Sequence, residues 1–179
     1  MNTFLSKMKG GAQPPPRMSM SEIFYSFFGG FLGIGICAFL SRNFFEPKDL
    51  VLIIGSMGAS AVLVYGTVKS PLAQPRNLIG GHVISGLVGV FWFQILPDNI
   101  VLASALAVSF AIAAMGLSKT LHPPGGATAL IAVIGGDKIH NLGFLYPFVP
   151  AGAGALVLLI VALITNNLVP ARKYPEYWL

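Results

Sequence analysis

Residues 121–136 read LHPPGGATALIAVIGG. The apolar part of this stretch runs for about 14 residues, short of the roughly 20 that a helix needs to cross a bilayer. By length it is a half-helix or a re-entrant segment. Pro123 and Pro124 suit the first turn of a helix, where a missing N–H costs nothing, and they push the preceding residue towards extended backbone. His122 is therefore expected just outside a helix start. The first amides of a helix are unpaired and its amino end carries about half a positive charge. Gly125 and Gly126 let backbone approach closely there, and Thr128 adds a hydroxyl donor. The stretch reads as a short helix whose start suits a small anion.

The rest of the chain places that helix in a membrane. Of 179 residues, 55% are apolar and 9% charged, with a mean hydropathy of +0.76, whereas a soluble domain carries roughly a quarter charged residues. Six spans need roughly 120 residues, which leaves short loops, two small tails and no separate soluble domain. Residues 1–20, with Lys7, Lys9, Arg17 and three consecutive prolines, read as a flexible cytoplasmic tail, and residues 21–179 as one transmembrane domain. The apolar segments fall at 23–40, 50–68, 78–96, 100–117, 121–136 and 144–168. Small residues four apart mark packing faces on three of them: Gly29, Gly33 and Cys37; Gly81, Ser85 and Gly89; Ala103, Ala107 and Ala111. Arg42, Glu46, Pro47, Lys48 and Asp49 form a polar turn before segment two. Tyr174, Tyr177 and Trp178 suit an interfacial belt.

Segment two resembles segment five. GASAVLVYG from Gly58 aligns with GATALIAVIG from Gly126, so that Ser60 matches Thr128, and with a four-residue adjustment Pro75 and Gly80 fall opposite Pro147 and Gly152. Repeats over 21–97 and 98–170, each with an odd number of crossings, are inverted. The expected fold is an all-α membrane protein of about six transmembrane segments as a three-plus-three inverted repeat, with short or broken Gly-rich helices at segments two and five.

Facing helix starts then define the candidate binding residues Gly58, Ser60, Gly125, Gly126 and Thr128, with Ser56 as a further donor. His122 has two readings, an anion donor or proton relay near neutral pH, or a cap on an interfacial loop. His82, after Gly80 and Gly81, is a weaker candidate, or a buried histidine bonded to a backbone carbonyl. His140 reads as solvated. Arg76, stiffly placed between Pro75 and Asn77, suits an anion vestibule; Lys69 and Lys119 admit that reading or one as topology charges.

Alternate connections carry eight basic residues on the amino-terminal side (Lys7, Lys9, Arg17, Lys69, Arg76, Lys119, Arg172, Lys173) and three opposite (Arg42, Lys48, Lys138), which places both termini in the cytoplasm. The net charge of +5 is thus read as topology, with no nucleic-acid partner. Six acidic residues, three histidines and the lone Cys37 offer no acid–base pair, disulfide or metal cluster, so the chain is read as no enzyme, without metal or cofactor.

The stretch at 121–136, together with GASAVLVYG at 58–66, SPLAQPRNLIGGH at 70–82 and NNLVPARKYPEYW at 166–178, resembles the HPP family of integral membrane proteins, named for the tripeptide His122 to Pro124. Members similar to this sequence are associated with nitrite transport. The resemblance implies a nitrite transporter, and the expected location is the plasma (inner) membrane. The alternatives are an anion channel or a non-transporting sensor or assembly module, in which the glycine motifs serve packing alone. Six short helices scarcely enclose a pathway alone, so a homodimer or higher homo-oligomer in the lipid bilayer is expected.

Overall fold

A computed structural model describes residues 2–45 and 52–179, and among these every regular element is helical. Glu46, Pro47, Lys48, Asp49 and Leu50, from the expected polar turn and the start of segment two, lie outside the described residues. A short helix α1 (Asn2–Lys7) opens the chain, and residues 4–21 are exposed. Helix α2 (Met20–Leu40) starts at Ser19, whose hydroxyl accepts the Glu22 amide at 3.2 Å. It widens into a π-turn at Ser41–Phe45.

Segment two is the seven-residue helix α3 (Gly55–Ala61) continued by a π-turn at Val62–Gly66. Helix α4 (Pro75–Ile95) begins three residues before the apolar run does, because Pro75 takes the first helical position. Helix α5 (Ile100–Leu117) has the expected bounds and is capped by Asn99, which accepts the Leu102 amide. Segment five is α6 (Pro123–Ile134), with both prolines in the first turn as expected. A single turn, α7 (Asp137–His140), leads on to Gly143–Leu145 and Pro147–Gly152 and then to α8 (Ala153–Asn167).

The sixth segment is broken where the sequence reads as one span. Val149 is extended (φ −134°, ψ 114°) before Pro150, as a residue preceding proline prefers, and the helix restarts beyond it. Among the described residues, four stretches are long and apolar enough to cross a membrane, Met20–Phe45, Pro75–Ile95, Ile100–Leu117 and Gly143–Asn167, with Pro123–Ile134 as a shorter apolar helix. At 1.5 Å per residue, the 12 residues of α6 span roughly 18 Å.

The three small-residue stripes are packing faces. A Cβ on Gly89 would stand 2.5 Å from the Ala129 carbonyl oxygen and one on Gly81 2.5 Å from the His122 Cβ, so α4 and α6 meet backbone to backbone. Ala103, Ala107 and Ala111 of α5 are fully buried against Ala129 and Val133. On α2 the gap left by Gly29 and Gly33 holds the Tyr65 ring, and Cys37 donates its thiol to the Gly154 carbonyl. The opposite face of α2 presents Phe24, Phe27, Phe31 and Phe39, each at least 60% exposed, a surface suited to lipid.

Side-chain bonds gather several chain connections at one end. Arg172 binds Glu22 at 2.6 Å and the Tyr65 carbonyl at 3.3 Å, the Arg76 guanidinium donates to the Ser118 carbonyl at 2.8 Å, and Asn77 donates to the Leu121 carbonyl at 2.8 Å. The carboxyl-terminal tail folds onto the same end. Tyr174, expected at an interfacial belt, is instead buried, its hydroxyl donating to the Ala73 carbonyl at 2.8 Å while burial pushes its phenol pKa upwards. Tyr177 donates to the Pro71 carbonyl, and Trp178 stays exposed. The tail closes against the 70–77 connection because carbonyls there lack ladder partners and tyrosine hydroxyls supply the donors.

Candidate functional site

Helix α3 supplies Ser56 and Ser60, four residues apart on one buried face. Helix α4 supplies His82 and, one turn on, Ser85. The chain before α6 supplies His122, extended at φ −139° and ψ 107° as the prolines dictate, and α6 itself supplies Thr128. All six side chains are fully buried, and five of them form one hydrogen-bonded chain. His122 Nδ1 lies 2.7 Å from the Leu72 carbonyl, and its Nε2 lies 2.8 Å from Ser60 Oγ. Ser60 Oγ is also 2.7 Å from His82 Nε2, His82 Nδ1 is 2.7 Å from Thr128 Oγ1, and Thr128 donates to Ser56 Oγ at 2.9 Å. The two imidazole rings sit edge to face, 5.2 Å apart.

Glycines make this convergence possible. A side chain on Gly80 would meet Thr120, and one on Gly81 would meet His122, so the pair leaves a recess in α4 for the 120–122 connection. Gly125 closes against Ser85, Met115 and the Gly81 carbonyl, with a built Cβ 2.7 Å from Ser85 Oγ. Tyr146 steadies α6 from the sixth segment by donating to the Thr128 carbonyl at 2.9 Å. Ser85 Oγ, buried beside the α6 start, has no hydrogen-bond partner among the described residues. An orphaned buried hydroxyl costs about 1–3 kcal/mol.

Of the residues expected at a site, Ser60, His82, His122 and Thr128 come together, with Ser56 beside them. The structure reads His82 as more than a histidine satisfied by a carbonyl, because hydroxyls occupy both of its ring nitrogens. Gly125 packs at the cluster's edge, but its amide is turned back onto the His122 carbonyl at 2.8 Å, and the two prolines before it have no N–H. The first turn of α6 therefore offers fewer free amides than its glycines suggest. Gly58 is exposed with open space where a Cβ would stand, and Gly126 faces Val108 at 4.0 Å. Arg76 is half-buried and engaged with Ser118, while Lys69 and Lys119 are exposed. His140, read as solvated, is half-buried, with its ring stacked on Phe93 at 3.7 Å and Nε2 bonded to the Val133 carbonyl.

Sequence reasoning passed over Ser85 as a site residue, although it lies three residues after His82 and hence on the same helix face. The Leu72 carbonyl carried no signal at all, since any residue type presents one. Among the described residues, no group of three or more histidine, cysteine or acidic side chains is arranged to hold a metal ion.

Comparison with known proteins agrees with a membrane-embedded architecture. A protein of Dictyostelium discoideum described as a transmembrane protein is 44% identical over 178 residues, covering 98% of this chain and 57% of its own length. A second transmembrane protein of that organism is 43% identical over 172 residues, covering 94% of this chain and 60% of its own. The chain thus spans less than two thirds of these relatives. No solved structure matches it. The family model described as HPP, transmembrane region, matches residues 15–175, and the chain belongs to the HPP family of membrane proteins.

Proposed function

We propose that this protein is a membrane transporter for nitrite or a similar small monovalent oxyanion, with Ser60, Ser85, His82, His122 and Thr128 as the groups that meet the substrate. The observation that carries this reading is the buried polar cluster beside an unpartnered hydroxyl. Ionisable and polar side chains inside a membrane protein are expensive and mark transport pathways and relays. Ser85 in particular holds a donor that the fold leaves unused. A small oxyanion offers acceptors for such donors, and nitrite is the member of that class to which the family resemblance points.

In this reading the chain passes six times through the bilayer, on four long and two short segments, as two inverted halves. Support comes from the end at which Glu22, Tyr65, Arg76, Ser118, Leu121 and Arg172 meet, which closes three out-and-back pairs. That end also holds Lys69, Lys119 and Lys173, so the positive-inside rule sets it and both termini in the cytoplasm. Assembly as a homodimer or higher homo-oligomer follows from the exposed apolar faces and is checked by the mass of the purified complex.

Nitrite flux into proteoliposomes tests the function directly, with nitrate and formate as competitors. Selective flux above protein-free liposomes, reduced in Thr128→Val, is the expected result. Absence of flux from folded, inserted protein overturns the transport reading in favour of a sensor or assembly module.

A further inference from the structure

We propose that Ser56, Thr128, His82, Ser60 and His122 form a proton relay that accepts one proton and reverses the direction of every hydrogen bond between these five side chains when it does so. This inference rests on the transport reading and supplies its coupling ion.

The number of protons available fixes the direction of each bond. The chain has five contacts: Leu72 carbonyl to His122, His122 to Ser60, Ser60 to His82, His82 to Thr128, and Thr128 to Ser56. Each needs one hydrogen between its two heavy atoms. The Leu72 carbonyl only accepts, so His122 Nδ1 carries a hydrogen. With both rings neutral, His122 Nε2 must then accept from Ser60, which spends the single Ser60 proton. His82 Nε2 must therefore donate to Ser60, leaving His82 Nδ1 to accept from Thr128, and Ser56 must donate to Thr128. This neutral state is complete and has only one polarity. It requires the two rings to be opposite tautomers, Nδ1–H at His122 and Nε2–H at His82.

The heavy-atom geometry instead favours Thr128 as the donor to Ser56, at 2.9 Å, ahead of its longer contact with the Pro124 carbonyl at 3.3 Å. With that polarity, two neutral imidazoles, Ser60 and Thr128 bring four hydrogens to five contacts. The missing one is supplied by protonating His122, which then donates from both nitrogens. Ser60 now donates to His82 Nε2, and His82 Nδ1 donates to Thr128. The second state is also complete, and it differs from the first by one proton and the reversal of the four bonds between side chains, while His122 Nδ1 donates to the Leu72 carbonyl in both. A proton delivered at Ser56 displaces hydrogens along Thr128, His82 and Ser60 and comes to rest on His122.

The groups facing the rings leave this exchange to the chain itself. The two imidazoles face each other. Helix α3 presents Ser56 and Ser60, the 71–73 turn presents the Leu72 carbonyl, and the sixth segment presents the neutral Tyr146 hydroxyl, which is committed to the Thr128 carbonyl. The cation at the start of α4, Arg76, is committed to the Ser118 carbonyl. Among the described residues, both rings find hydroxyls or a carbonyl as their hydrogen-bond partners, and no carboxylate.

Nitrogen NMR of the intact chain in bilayers, labelled at histidine and carrying His140→Asn to remove the third ring, tests the relay without reference to transport. On acidification His122 is expected to become doubly protonated while His82 switches from Nε2–H to Nδ1–H in the same step. Ser60→Ala is expected to abolish that coincidence. A His82 tautomer that stays fixed while His122 titrates, or rings that titrate independently, overturns the relay. Proteoliposomes with an internal pH dye and a potassium-clamped potential then address coupling, with protein-free liposomes as background for nitrous acid permeation. Nitrite entry with about one accompanying proton, reduced at least tenfold in Ser60→Ala, is expected. Nitrite flux without proton movement overturns the coupling role. Absence of nitrite flux altogether, with the tautomer switch intact, overturns the transport reading and leaves the relay standing.

Discussion

The two short segments share a motif, GAS-A in one and GAT-A in the other, yet the fold uses them differently. Helix α3 starts with glycine and serine and gives the cluster two hydroxyls, Ser56 and Ser60. Helix α6 starts with His122 and two prolines and gives it one hydroxyl and one imidazole. The matched residues Ser60 and Thr128 end on opposite nitrogens of the same ring, His82. Gly58 and Gly126, also matched, contribute openness or a loose contact, whereas unmatched Gly125 is wedged against α4 and α5. The motif thus sets where a hydroxyl falls on a helix face, while the residues just ahead of it decide which chemistry the helix start brings.

That comparison breaks most visibly at His122, which has Ile54 as its counterpart. His122→Ala takes the imidazole partner from the Leu72 carbonyl and leaves Ser60 with His82 alone, and nitrite flux is expected to fall about 10- to 100-fold, the equivalent of one orphaned buried bond. Flux equal to wild type would remove the asymmetric element from the site.

Next in size is the contrast between glycines. Gly125→Ala forces a methyl into Ser85, Met115 and the Gly81 carbonyl and is expected to cost about 1–3 kcal/mol. Gly58→Ala enters open space on a helix and is expected to be neutral or stabilising by up to about 1 kcal/mol. Unfolding midpoints in detergent measure both, and equal shifts would show that the two short helices are packed alike.

The matched hydroxyls come third. Ser60→Ala strips a partner from two ring nitrogens, and Thr128→Val from one ring nitrogen and the Ser56 hydroxyl, so the two are expected to cost about the same stability, about 1–3 kcal/mol per orphaned group. A clearly larger loss for Thr128→Val in thermal unfolding would place the network's centre at α6. Smallest is Ser85→Ala, expected to raise stability by about 1 kcal/mol by removing an orphaned hydroxyl while weakening nitrite uptake. A variant that is more stable and transports as well as wild type would remove Ser85 from the pathway.

Sequence alone sufficed for the membrane class, the bounds of α5, the proline-led start of α6 and all three small-residue faces. These are local properties: apolar runs set span length, proline sets its own angle, and glycine or alanine at a four-residue spacing is a flat face whatever lies opposite. It also named Ser60, His82, His122 and Thr128 individually. Only the tertiary structure joined them, because their order along the chain, with gaps of 22, 40 and 6 positions, says nothing of which ring nitrogen meets which hydroxyl. It also decided that Arg172 is buried with Glu22, that Tyr174 and His140 turn inward, that the sixth segment breaks at Val149, and that the Gly125 amide is spent on His122. Each of these depends on a partner distant in sequence or on a backbone carbonyl, and carbonyls are identical in every residue until folding chooses among them.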